Sequence, residues 1–541
     1  MRKNDVLSLV AENLGAEMEG VCRHDGMAVF VPGLLPGEKA DVRIVRVEKR
    51  YAFGRLESAP EVPSPSRRPS DCPAYPQCGG CTARHMTYAA TLEAKRQHVL
   101  DCFARIGHLS VEVPPVLGME DPLCYRNKTA LPAGGTAEAP LLGFFAPRSH
   151  RLVPAVHCPN AMRPTERIAE AVLAWMRQFR IAPYDEATGQ GLLRHLVVRI
   201  NRKQEAMATL VVNGKTLPHA AELSGALAPL GVVSLYMNEN TRRTNVIFGD
   251  RFRLLSGEET LTDTLCGLTF DLSPASFFQV NPRQTETLYA TALAFADLRL
   301  SDTLCDVYCG AGTITLMMAR HCRQAVGVEI VPSAVENARQ NARRNGVPNV
   351  LFHEGKAEDL LPEMVRDGLR PNVIVVDPPR KGLELPVIEA IAEAKPDRLV
   401  YVSCNPATQA RDAALLKEKG FLIQKIQPVD MFPFTSHVET VVQLSKGEIS
   451  SKPVRVEFSL EGLDTSCLLN DATYEQIKAY VFEHTGLKVS TLYIAQVKAK
   501  HGIIERDCYN KPKTEGNHVP QCPPEKEKAI EDALRHFQMI P

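Results

Sequence analysis

From about residue 300 onward, two hydrophobic patterns alternate along the chain. The mostly apolar runs at 303–308, 325–330, 373–376 and 399–402 are short and continuous, which predicts strands buried on both faces. Between them, at 313–320 and 332–345, apolar residues recur every three or four positions, which predicts helices. That alternation predicts a parallel sheet with helices on both faces. Nearer the start the period is two. Residues 27–31 and 40–47 flank the turn-rich Pro32-Gly33-Leu34-Leu35-Pro36-Gly37 and read as strands of a small barrel. Four prolines between Pro60 and Pro69 mark a linker. The middle of the chain mixes both periods: 165–180 is helical and carries the only tryptophan, Trp175, while 192–200 and 205–212 read as a hairpin. Phe277-Phe278-Gln279-Val280-Asn281-Pro282 ends a strand-like segment, with Asn281 as N-cap and Pro282 as first residue of a helix. Beyond residue 446 the pattern predicts a strand at 454–460, a helix at 471–484, a strand at 491–497 and a helix at 525–537.

The fold class is therefore α/β, in four parts: a barrel at 1–60, a central α+β region at 70–295, a Rossmann-like domain at 296–446 and a small α+β appendage at 450–541. A length of 541 residues is too great for one core and agrees with that division. Lys+Arg and Asp+Glu both total 63, so overall charge does not point to nucleic acid. Locally it does more. Lys39, Arg43, Arg46, Lys49, Arg50 and Arg55 outnumber Asp41 and Glu48, which suits either an RNA-binding barrel face or a solvated one. Met1-Arg2-Lys3-Asn4-Asp5 lacks the apolar core of an export signal, and no apolar run reaches the ~18 residues of a membrane helix. A cytoplasmic protein is expected. Fifteen cysteines then read as metal ligands or catalysts rather than as disulfides.

Cys404 carries most of the candidate chemistry. It follows the apolar run 399–402 in Ser403-Cys404-Asn405-Pro406, where a buried strand opens into a loop. The glycine loop Asp306-Val307-Tyr308-Cys309-Gly310-Ala311-Gly312-Thr313 would let a nucleotide cofactor approach the backbone. Glu329 ends the next strand, where an acid binds ribose hydroxyls. With no phosphate-binding lysine motif, S-adenosylmethionine fits better than a dinucleotide. Asp377-Pro378-Pro379-Arg380 and His437-Val438-Glu439-Thr440 complete the set. Carbon 5 of uracil becomes nucleophilic once a thiolate adds at carbon 6, and a base must afterwards remove the carbon 5 proton. Cys404 suits the thiolate, Glu439 the base, and Asp377 a positioning role between cofactor and base. Taken singly, Cys404 also reads as a buried apolar-like thiol, Glu439 as an edge-strand carboxylate and Gln279 as a loop amide. Separately, Cys72, Cys78 and Cys81 lie within ten residues around Gly79-Gly80, with Cys158 the best fourth ligand. An iron–sulfur cluster is expected, with structural zinc or unliganded thiols as alternatives.

Together these motifs resemble the S-adenosylmethionine-dependent RNA (uracil-5-)-methyltransferase family, in particular its branch with an N-terminal TRAM domain, an OB-like barrel, and a four-cysteine iron–sulfur site. The resemblance covers about residues 1–446. It implies a class I methyltransferase domain, with the barrel and central region gripping RNA and the target base turned out. It also implies a [4Fe–4S] cluster on Cys72, Cys78, Cys81 and Cys158. Gln279, Tyr308, Glu329 and Asp377 would bind the cofactor, with Cys404 as nucleophile and Glu439 as proton acceptor. The implied substrate is large-subunit ribosomal RNA, with transfer RNA as alternative, and the implied state is a monomer. Two rivals stand beside it. A cytosine-5 RNA methyltransferase commonly has a second cysteine near the nucleophile motif, and no cysteine follows Cys404 before Cys467. A non-catalytic iron–sulfur RNA-binding protein would leave Cys404 idle. The appendage lies outside the resemblance; His501, Cys508, His518 and Cys522 are too irregularly spaced for a zinc site. Lys498, Lys500, Lys511 and Lys513 suit RNA or a partner.

Overall fold

The computed structural model describes residues 1–446, 474–501 and 522–537. The chain divides into two compact units, Met1–Ser450 and Ser451–Pro541. In the first, strands Val6–Leu14, Gly20–His24, Met27–Val31, Lys39–Val47 and Tyr51–Leu56 close into a barrel. Strict alternation explains its interior. Ala40, Val42 and Ile44 point inward with Val29 and Val31, while Lys39, Asp41 and Arg43 between them stay outside. Gly54 allows the closure, because a Cβ there would lie 2.3 Å from Val42 Cγ1.

The central region is a seven-stranded sheet in the order Arg251–Gly257, Val232–Glu239, Ala206–Val212, Leu193–Ile200, Lys128–Gly135, Pro140–Phe145, Leu152–Pro154. The expected hairpin is its Leu193–Ile200 and Ala206–Val212 pair. Helix Pro164–Gln178 covers one face with Ile168, Val172, Trp175 and Met176, spaced three and four apart. The stretch before Asn281 differs from expectation: the preceding strand ends at Leu272, and 273–281 is an irregular loop. Asn281 does cap helix Pro282–Ala296, accepting from Gln284 N at 3.2 Å.

The third part is a seven-stranded sheet ordered Val350–Glu354, Gln324–Glu329, Thr303–Val307, Val373–Val376, Arg398–Ser403, Glu439–Lys446, Phe421–Val429. Its first five strands are parallel, and Glu439–Lys446 runs antiparallel to both neighbours. The order reverses at Thr303–Val307 and Val373–Val376, so a ligand crevice opens beyond their carboxyl ends. This is the Rossmann-like methyltransferase sheet expected from the sequence, with one antiparallel strand inserted near the edge.

The second unit corrects one expectation. Residues 491–497 belong to a helix, Thr491–Lys500, not a strand. Ile494 and Val497 sit one turn apart and share a core with Ile477, Val481, Ile530 and Leu534 from helices Tyr474–Thr485 and Pro524–His536. Ser490 Oγ accepts from Tyr493 N at 3.3 Å and caps the helix, a local signal that outweighs the β-branched composition. The expected strand at 454–460, and Cys508, His518, Lys511 and Lys513, lie outside the described residues. Among the described residues no helix is long and apolar enough to cross a membrane.

Candidate active site

Cys404 is the one residue between the end of strand Arg398–Ser403 and the cap of helix Pro406–Glu418. Ser403 Oγ accepts from Asn405 N at 3.1 Å, and Asn405 Oδ1 accepts from Ala407 N at 3.1 Å. Pro406 stands at the first helical position, so Ser-Cys-Asn-Pro is a strand exit fused to a helix start. The antiparallel strand supplies the partner. Ser403 pairs with Thr440, which brings Glu439, the first residue of its strand, to the carboxyl end where Cys404 sits.

A cavity of about 1090 Å³ lies over these strand ends. Cys404, Glu439, Gln279, Tyr308, Glu329 and Asp377 all line it, so the structure brings together every residue expected for nucleophile, base and cofactor. Glu439 is buried at 5% exposure, which pushes its carboxyl up to about 8; Asp377 raises it further and Arg380 opposes. Burial alone pushes Asp377 up to about 7. The half-buried Cys404 thiol is raised by desolvation and then by Glu439, while the positive charge of Arg380 opposes that rise and favours the thiolate.

The cofactor half of the cavity has the features of a polar ligand site. Tyr308 holds φ +71°, a conformation a bulky residue keeps only where its surroundings enforce it. Its hydroxyl and Asp306 Oδ1 are buried with no hydrogen-bond partner among the described residues. Gly310 N donates to Glu329 Oε2 at 3.0 Å, and Val331 N donates to Glu329 Oε1 at 2.8 Å. Those bonds fix the carboxylate across the glycine loop. An added Cβ at Gly310 would meet nothing within 4 Å, whereas one at Gly312, φ +80°, would lie 3.0 Å from Phe352 Cζ. Gly310 thus leaves open space at the ligand, and Gly312 permits close helix packing.

The four cysteines expected as metal ligands lie near one another. Cys72, Cys78, Cys81 and Cys158 are half-buried and unpaired by disulfides, and each of Cys78, Cys81 and Cys158 feels the charge of its neighbours. Asn160 Nδ2 donates to Cys81 Sγ at 3.3 Å, and Gly80 N to Cys78 Sγ at 3.4 Å.

Comparison with known proteins places this geometry. The tRNA (uracil-5-)-methyltransferase family matches residues 258–447, and the TRAM domain matches residues 9–56. An RNA methyltransferase of Halalkalibacterium halodurans is 44% identical over 448 residues, covering 82% of this chain and 98% of that protein. One of Clostridium tetani is 42% identical over 448 residues, covering 82% of this chain and 97% of that protein. The chain belongs to the RNA (uracil-5-)-methyltransferase family. Among solved structures, the tRNA (uracil-54, C5)-methyltransferase of Pyrococcus abyssi, in complex with S-adenosyl-L-homocysteine, superposes with a TM-score of 0.66 at 28% identity. That match covers 81% of this chain and 99% of the other.

Within this methyltransferase three cavity residues went unassigned in the sequence. Arg380 ends the Asp377-Pro378-Pro379-Arg380 motif, and its charge acts on both Cys404 and Glu439; its spacing from Asp377 was visible, its target was not. Asp306 opens the glycine loop, and burial raises it to about 7 while Thr315 Oγ1 donates to its Oδ2 at 2.5 Å. His437, two residues before Glu439, also lines the cavity, and burial lowers its pKa.

Proposed function

We propose that this enzyme methylates carbon 5 of a uridine in large-subunit (23S) ribosomal RNA through a covalent adduct between Cys404 and carbon 6. The observation that carries the uracil chemistry is the lining of one cavity by Cys404, Glu439, Arg380 and the glycine loop. The Cys404 thiolate adds to carbon 6 of a uracil turned into the cavity. The π electrons of the carbon 5–carbon 6 bond pass through carbon 5 onto oxygen 4, and carbon 5 becomes nucleophilic. S-adenosylmethionine supplies the methyl group, and its sulfonium sulfur keeps the broken C–S pair and leaves as the thioether. Glu439 takes the carbon 5 proton; that electron pair restores the double bond and expels Cys404 as thiolate. Arg380, exposed at the rim, favours the anionic thiolate before addition and after release.

Gln279, Tyr308, Glu329 and Asp377 would hold the cofactor, and the orphaned Tyr308 hydroxyl and Asp306 oxygen are the polar sites it would satisfy. Cys72, Cys78, Cys81 and Cys158 would hold a [4Fe–4S] cluster. Four thiols, two of them accepting from Asn160 Nδ2 and Gly80 N, are a donor set that such a cluster takes. The cluster would fasten the chain segments that carry its ligands. The enzyme would act as a cytoplasmic monomer.

Transfer RNA is the second reading, favoured by the description of the matched family and by the Pyrococcus abyssi structure. Mass-spectrometric mapping of 5-methyluridine in both RNAs from cells lacking the protein separates the two. Loss confined to 23S ribosomal RNA is expected; loss confined to transfer RNA assigns the second substrate.

A further inference from the structure

The segment Asp430–Val438 joins strand Phe421–Val429 to the strand that begins at Glu439, so its conformation sets where Glu439 starts. It has no regular structure of its own and is held from outside. Asp430 receives the fully buried Lys95 ammonium at 2.5 Å and the Tyr88 hydroxyl at 2.7 Å, and Lys95 also donates to Phe432 O at 3.0 Å. Asn281 Nδ2 donates to Met431 O at 3.1 Å. Ser436 Oγ donates to Glu17 of the barrel at 3.0 Å.

The tightest hold is on Phe434, and it comes from the four-thiol centre. Phe434 is 1% exposed and carries φ +62°. Its carbonyl accepts from Thr82 N at 3.2 Å and Ala83 N at 3.1 Å, the two amides that follow Cys81. Its ring lies under two guanidinium groups, Arg84 at 4.5 Å and Arg68 at 4.9 Å. Arg84 is fully buried; it donates to Asp71 Oδ1 at 2.6 Å and to Asn160 Oδ1, and Asn160 in turn donates to Cys81 Sγ at 3.3 Å. A continuous chain of contacts thus runs from Cys81 through Asn160 and Arg84 to the Phe434 ring, five residues before Glu439. A left-handed phenylalanine costs about 1–3 kcal/mol and persists only where its environment over-determines it. Here the amides and guanidiniums beside Cys81 supply that environment.

We infer that Arg84 and Phe434 are positioning residues that couple the four-cysteine centre to Glu439, so that this centre governs removal of the carbon 5 proton and not attack by Cys404. The inference rests on the proposed Cys404–Glu439 chemistry. Cys404 is placed by its own strand exit and helix cap, which the Asp430–Val438 segment does not form. Loosening the clamp therefore separates two steps that general unfolding would impair together.

The test uses full-length holoenzyme, S-adenosylmethionine and large-subunit ribosomal RNA from cells lacking the protein. Variants Phe434→Leu and Arg84→Met are followed for adduct formation and adduct release in single turnover, beside Glu439→Gln. Iron content and the visible band report the metal centre, and hydrogen exchange reports residues 431–438 against strand Arg398–Ser403. Adduct formation within about twofold of the parent is expected, with release slowed at least ~10-fold, so that a denaturation-resistant protein–RNA species accumulates. Exchange should quicken at 431–438 and stay unchanged in the strand, and Arg84→Lys, which keeps a cation over the ring, should recover most of the release rate. Parental release, or formation and release falling in proportion, overturns the inference. Should Glu439→Gln itself trap no adduct, the proposed chemistry fails instead. If Phe434→Leu or Arg84→Met does not fold, Arg68→Met, which removes only the second and partly exposed cation, carries the same two outcomes.

Discussion

At the scale of single residues, the site separates the group that bonds to the base from the group that releases it. Cys404→Ser should abolish methylation and leave no denaturation-resistant complex on 5-fluorouridine RNA, read by gel shift, because a hydroxyl, unlike a thiol, does not ionise near neutral pH. Glu439→Gln should instead keep adduct formation and slow release by about 10²–10⁴-fold, the usual worth of a general base. The desolvated carboxyls also fix a pH dependence. Asp306, Asp377 and Glu439 have folded values raised to about 7, 7 and 8. A raised carboxyl contributes stability that is fully present below its unfolded value near 4 and is lost as pH rises through the folded value. Cofactor-free protein should therefore melt at a lower temperature at pH 9 than at pH 6, measured by calorimetry; an unchanged or rising melting temperature would contradict these assignments. Cys404, Gly310 and Asp377 were legible in the sequence because strand exits and glycine loops are local patterns. Arg380 and Asp306 were visible but mute, since their roles depend on which distant groups the fold brings beside them.

At the scale of elements, the decisive feature is the antiparallel insertion of strand Glu439–Lys446 between Arg398–Ser403 and Phe421–Val429. Only that direction puts an amino-terminal residue, Glu439, at the carboxyl edge of the parallel strands. The sequence put Glu439 on a strand but not that strand's direction or its place inside the sheet, because both are set by pairing between distant segments. Residues 491–497 failed for the opposite reason. Thr491, Tyr493, Ile494 and Val497 favour a strand by composition, yet their burial follows a helical period and Ser490 caps the turn. Helix Tyr88–Arg105 makes a further claim testable here. Its Lys95 is fully buried against Asp430, so Lys95→Met leaves an uncompensated carboxylate. That should cost about 3–5 kcal/mol of stability in denaturant titration, while the paired change Lys95→Met with Asp430→Leu should recover most of it. A cost from the single change no larger than that of the pair would show that the ion pair does not hold the segment.

At the scale of the whole molecule, the hydrophobic period shifts along the chain: two in the barrel, mixed in the centre, alternating strand and helix beyond residue 300. What period could not reveal is that Asp430–Val438 gathers contacts from the barrel, the cysteine loop and helix Tyr88–Arg105 onto one segment. Every residue lining the cavity, and all four thiols, belong to the unit Met1–Ser450. The Halalkalibacterium halodurans relative is matched over 98% of its own length by 82% of this chain, so a relative of this family does without a stretch of such size. The second unit has its own core, in which Ile477, Ile494 and Ile530 from three helices are fully buried. Removing residues 451–541 should therefore leave the melting temperature of the remaining unit, its cofactor affinity and its rate of adduct formation on a short uridine-bearing hairpin within about twofold of the full chain. A contribution of the second unit to gripping longer RNA would show as weaker binding to full-length ribosomal RNA with single-turnover chemistry unchanged. Loss of adduct formation on the short hairpin would mean that the catalytic machinery extends beyond residue 450, and the assignment of a self-sufficient first unit would fall.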